Sequence, residues 1–135
     1  MTLDDFFARY AERSLGPTPE ALADLYAPTF LVAGPEGSAA FPNDDRFRAW
    51  LRGVADFNRA HDMRTLHAIK VREATLSPLH TLATVTWGAQ FERTGDEVIE
   101  FEIAYLLERT AQAWRILAYI SRADQAAEMS RLGLA

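Results

Sequence analysis

No cysteine occurs among the 135 residues, so disulfides, thiolate metal sites and cysteine nucleophiles are excluded together. No apolar run approaches the roughly 18 residues that a membrane-spanning helix needs. Met1-Thr2-Leu3-Asp4-Asp5 lacks the basic start and apolar stretch of a signal peptide, so the expected location is cytoplasmic. Positive charge is also short: 14 basic residues face 19 acidic ones, a net charge of −5. Such a balance repels phosphate backbones, and nucleic acid is not an expected partner. HExxH, GxGxxG, P-loop and GxSxG motifs are all missing, and no two histidines share a face at ligand spacing. A metal, a nucleotide or any other cofactor is therefore not expected.

What is present is an ordinary globular composition, 49% hydrophobic and 24% charged, at a length suited to one domain over 1–135. Leu3, Phe6, Phe7 and Tyr10 recur at i, i+3, i+4, i+7, the stripe of an amphipathic helix that Gly16-Pro17 stops. Thr18-Pro19 opens a second, short helix with Leu22, Leu25 and Tyr26 on its apolar side. Phe30-Leu31-Val32 suits a short strand running into a Gly34-Pro35-Glu36-Gly37 loop. Asn43 reads as the cap of a third helix whose buried stripe is Phe47, Trp50, Leu51, Val54 and Phe57. From Met63 the period changes to two, predicting strands at 63–75, 80–93, 97–108 and 112–121, joined by short turns into an antiparallel meander. Ser121 and Asp124 are spaced to start a last helix.

Helices followed by a run of strands is the α+β pattern, with the helices covering one face of a curved antiparallel sheet. On that face the alternation places Trp87, Phe91, Ile103, Tyr105, Trp114 and Ile116, and on the other Leu82, Thr84, Glu100, Glu102, Leu117 and Tyr119. Apolar residues on both faces of so small a sheet call for a partner. Leu82, Leu117 and Tyr119 mark the expected homodimer contact.

The order of these elements, with Leu25-Tyr26-Ala27 closing the second helix and Trp114-Arg115-Ile116 in the last strand, resembles the NTF2-like superfamily, including its ketosteroid isomerase-like and SnoaL-like members. The resemblance implies a cystatin-like cone enclosing a mostly apolar pocket for a small apolar molecule. Its walls would be Tyr26, Phe30, Trp50, Val54, Trp87, Phe91, Ala104 and Trp114. Compared with ketosteroid isomerase, Tyr10 takes the position of the oxyanion-binding tyrosine. The catalytic base falls on Gly34 and the second acid on Ala104, so that route of isomerisation is not expected.

The resemblance leaves isomerase, cyclase or dehydratase chemistry open, as it does a non-catalytic ligand-sensing or protein-interaction module. For catalysis Glu102 is the candidate base, because a carboxyl aimed into an apolar cone is pushed toward useful pKa values. The alternative turns Glu100 and Glu102 outward. His67 is a candidate proton shuttle, or a hydrogen-bonded histidine beside the core. Arg46, Arg48 and Arg52 either hold an anion or form a solvated face.

Overall fold

A computed structural model of the chain describes residues 1–111 and 113–121. Helix α1, Leu3–Leu15, starts where Thr2 Oγ1 accepts the Asp5 N–H at 3.1 Å, and it buries Leu3, Phe6, Phe7, Tyr10 and Ala11. A 3₁₀ helix, Pro19–Leu25, follows. Strands β1 (Tyr26–Gly34) and β2 (Gly37–Pro42) form a hairpin whose turn has Gly37 at φ 132°, in the region where a side chain would be strained. The loop expected at Gly34-Pro35-Glu36-Gly37 is thus the turn of a hairpin, and β2 is a strand beyond those expected from sequence. Helix α2 spans Asp45–Ala60, and β3 (Met63–Thr75), β4 (His80–Phe91), β5 (Ile99–Arg109) and β6 (Trp114–Ser121) complete the fold.

The strands form one curved sheet in the order β2-β1-β6-β5-β4-β3. The β3–β6 meander is antiparallel as expected, but β1 lies parallel to β6, so the sheet is mixed. The helix expected after Ser121 lies outside the described residues. Among the described residues no helix is long and apolar enough to cross a membrane.

The core forms where α1 and the 3₁₀ helix press onto the concave face, around Phe6, Phe7, Trp87, Ile103, Tyr105 and Ile116. Two expectations fail here, each for a local reason. On α2 only Leu51 and Ala55 are buried, whereas Trp50 is 62% exposed and Val54 and Phe57 also face outward. The helix packs mainly against the 3₁₀ helix, and its arginines cross that contact: Arg52 reaches Glu20 at 3.2 Å and Arg48 lies 3.8 Å from Asp24. The face pressed inward therefore runs through Arg48, Leu51 and Ala55 instead of through Trp50 and Val54.

The second failure is on β6. Leu107 pairs with Ile116 while Leu106 pairs with Ala118, so Leu117 is an extra residue, a bulge. Because side chains alternate with period two, one extra residue turns everything beyond it to the other face. Tyr119, expected on the outer face, instead stands opposite Tyr105 and packs against the core, its ring edge-on to Tyr105 at 5.6 Å.

Candidate functional site

The four tyrosines of the chain converge on one place under α1. The hydroxyls of Tyr10 and Tyr26 are 2.8 Å apart, and the Trp87 indole N–H donates to the Tyr105 hydroxyl at 3.0 Å. The Tyr10 and Tyr105 rings meet edge-on at 5.8 Å. Burial in apolar surroundings raises the pKa of Tyr10, Tyr26 and Tyr105 well above the ordinary phenol value, and neighbouring phenols add to the rise. These groups stay protonated at any physiological pH. They can donate a hydrogen bond to a carbonyl or oxyanion, but they cannot take up a proton.

The other two catalytic candidates stand elsewhere. Glu102 pairs across the sheet with Thr86, on the outer face, and accepts a hydrogen bond from Arg72 Nη2 at 3.1 Å. Its placement follows from Ile103 and Tyr105 being inward, since neighbours on a strand point to opposite sides. Ala104 lies on the same outer face, opposite Thr84, and lines no cone. His67 is exposed on the edge strand β3 beside a hollow of about 450 Å³ between that strand and α1. The structure does not bring Tyr10, Glu102 and His67 together.

Of the expected pocket walls, Phe30, Trp87 and Phe91 are buried in packed core, and Trp50 and Val54 are exposed on α2. Tyr26 and Trp114 do line a cleft, of about 580 Å³, at the end of the sheet where β1 and β6 begin. Its walls come from separated parts of the chain: Arg9 and Arg13 on α1, Asp24 and Leu25 at the end of the 3₁₀ helix, Asn43 and Arg48 around the start of α2, and Thr110 and Ala113 beside Trp114.

Each wall is held by a specific local contact. Asn43 Nδ2 donates to the carbonyl oxygens of Ala23, Tyr26 and Ala27 at 2.8, 3.2 and 3.3 Å, tying α2 to the start of β1. The cap role expected of Asn43 falls instead to Asp44, whose side chain accepts from the N–H groups of Arg46 and Phe47. Arg13 Nη1 donates to the Ala21 carbonyl at 2.9 Å, and the Arg109 guanidinium lies over the Trp114 ring at 4.5 Å. Arg115 Nε donates to Glu108 Oε1 at 2.7 Å, and this ion pair is the main cause of a lowered Glu108 pKa. Sequence reasoning named Tyr26, Trp114 and Arg48 separately and did not bring them together with Arg9 and Arg13 in one cleft. Its signals were Arg48, already a candidate anion holder, Tyr26 and Trp114 among the expected walls, and Arg9 and Arg13, four residues apart along one flank of α1.

A family model described as NTF2-like protein (DUF6841) matches residues 1–124. Among solved structures the chain is similar to a protein of unknown function from Mycobacterium tuberculosis, at TM-score 0.66 and 14% identity, covering 90% of this chain and 69% of that one. It is similar also to an NTF-2 like protein of unknown function from Shewanella oneidensis (TM-score 0.63, 14% identity, 91% and 100% covered). A third likeness is to a provisionally assigned scytalone dehydratase from Novosphingobium aromaticivorans (TM-score 0.60, 14% identity, 87% and 78% covered). At these identities the likeness establishes the fold alone. No curated protein matches the sequence.

Proposed function

Because this chain belongs to the NTF2-like family DUF6841, whose shared feature is a fold, its function must be argued from its own side chains, and we propose that it binds a small molecule in the cleft beside Trp114. The observation that carries this reading is the meeting, in a cleft of about 580 Å³, of two aromatic walls, Tyr26 and Trp114, with polar groups from three other elements. That size and mixture suit a compact organic ligand. Binding is favoured over acid–base catalysis because the inner polar groups are phenols held protonated, and Glu102 is turned outward against Arg72. The test is a screen of small aromatic compounds followed through the three indole N–H signals in nuclear magnetic resonance. Ligands should shift Trp114 and leave the exposed Trp50 unmoved, and Trp114→Ala should abolish the response. Hits that move Trp50 alone would place the site on α2 and end this reading.

A second reading, compatible with the first, is homodimerisation through the outer face of the sheet. Four strands place Leu31, Ala118, Leu106 and Leu82 side by side across that face, with Ala33, Ile120, Ala104 and Thr84 as the next row. These rows replace the Leu82, Leu117 and Tyr119 patch expected from sequence, since the bulge removes Tyr119. Arg72, Glu102 and Glu108 edge the rows, giving an apolar centre with a polar rim. A two-fold contact packs one such face on its own copy. Leu106→Glu is expected to convert a dimer to monomer in sedimentation velocity, and a wild-type chain that sediments as monomer at high micromolar concentration would end the idea.

A further inference from the structure

We propose that the cleft beside Trp114 selects a small organic monocarboxylate, its acid group held by Arg9, Arg13 and Arg48 and its apolar body laid against Leu25, Pro28 and Trp114. This inference rests on the cleft being the ligand site and adds the chemical class. The chain as a whole is acidic, with a net charge of −5, yet the cleft lining reverses the sign: Arg9, Arg13, Arg48 and Arg115 against the single acid Asp24.

Of these four cations Arg115 is committed to Glu108 at 2.7 Å. Arg13 and Arg48 approach the two oxygens of Asp24 only to 3.9 and 3.8 Å, well beyond the roughly 2.8 Å of a charge-assisted hydrogen bond. Arg9 forms no ion pair among the described residues. Two guanidinium groups, from α1 and α2, thus hold one 61% exposed carboxylate loosely, and Arg9 lines the same cleft. Arg13 spends Nη1 on the Ala21 carbonyl, and its remaining N–H donors, with those of Arg9 and Arg48, suit a planar two-oxygen acid, the geometry a guanidinium matches best.

Asp24 also bears on the valence. A second negative charge on the ligand would be repelled by this acid in the cleft wall, which favours a monocarboxylate over a phosphate dianion. The apolar part of the lining, with the Trp114 ring already backed by Arg109 at 4.5 Å, leaves a surface for an aromatic or aliphatic body.

The experiment titrates three probes into the full-length protein: phenylacetate, its neutral counterpart benzyl alcohol, and inorganic phosphate, following the Trp114 indole signal. Phenylacetate is expected to bind at millimolar or lower concentration, more weakly in high salt, with benzyl alcohol and phosphate each at least about tenfold weaker. Arg9→Ala and Arg13→Ala should each weaken phenylacetate about tenfold, and Arg46→Ala, outside the cleft, should not, with melting curves showing that every variant is folded. Equal binding of phenylacetate and benzyl alcohol would overturn the carboxylate inference and leave the cleft standing as a ligand site. Phosphate binding as tightly as phenylacetate would overturn the choice of class. No Trp114 response to any probe would overturn both the inference and the reading beneath it.

Discussion

Trp87→Ala is expected to destabilise the protein by about 3–5 kcal/mol, enough to consume much of the stability of an ordinary domain of this size. The residue is 2% exposed, and its ring meets Phe7 edge-on at 6.1 Å and Tyr10 at 5.6 Å under α1. The substitution also strips the Tyr105 hydroxyl of its indole donor, leaving a buried oxygen with a lost bond. Trp87→Phe separates the two effects, since it keeps most of the ring and removes the N–H; a loss of about 1 kcal/mol is expected for that change. Urea titration of both variants measures the difference. A loss below about 1 kcal/mol for Trp87→Ala would mean that the concave face is not the packed core.

Alkaline pH should unfold the protein steeply. Tyr10, Tyr26 and Tyr105 have folded-state pKa values raised above the ordinary 10.0, with burial as the first cause. The sign follows from proton binding: above pH 10 the unfolded chain releases these protons and the folded chain keeps them. The stability these phenols contribute is therefore complete below pH 10 and drains away as pH rises toward their folded-state values. Each phenol costs about 1.4 kcal/mol per pH unit in that window, and the three together about 4 kcal/mol. Chemical denaturation carried out from neutral to strongly alkaline pH, with phenolate absorbance followed in parallel, tests this. The phenolate signal of the three buried tyrosines should appear only with loss of structure. Reversible ionisation of all tyrosines near pH 10 in a chain that keeps its circular dichroism would contradict the burial of the cluster.

Element types and order were legible in the sequence because they rest on local repetition: Phe6, Phe7 and Tyr10 at helical spacing, Val85, Trp87 and Ala89 at strand spacing. The family membership followed from that order. Glu102 was half legible, since the alternation that sends Ile103 and Tyr105 inward forces Glu102 outward, and only an alignment to a different protein argued otherwise. Trp50 was misread because helical periodicity offers a choice of adjacent apolar stripes, and the reach of Arg48 and Arg52 to the 3₁₀ helix chose the other one. The cleft was not legible, because Arg9, Arg48 and Trp114 meet only through tertiary folding and form no pattern along the chain.

The bulge at Leu117 also changes how tolerant this strand can be of insertions and deletions. Two half-strands of opposite parity are spliced there: Trp114 and Ile116 belong to one phase, Tyr119 and Ser121 to the other. A lineage that lost Leu117 would close the bulge and keep Ile116 and Tyr119 both facing the core, opposite Leu107 and Tyr105. A single residue inserted between Ala118 and Tyr119 would instead turn Tyr119 outward, removing a hydroxyl from the interior and planting it on the sheet's far side. Elsewhere in β6 a single insertion or deletion reverses a face, so length variation in this family should concentrate in the turns and, within the strand, at the position of Leu117.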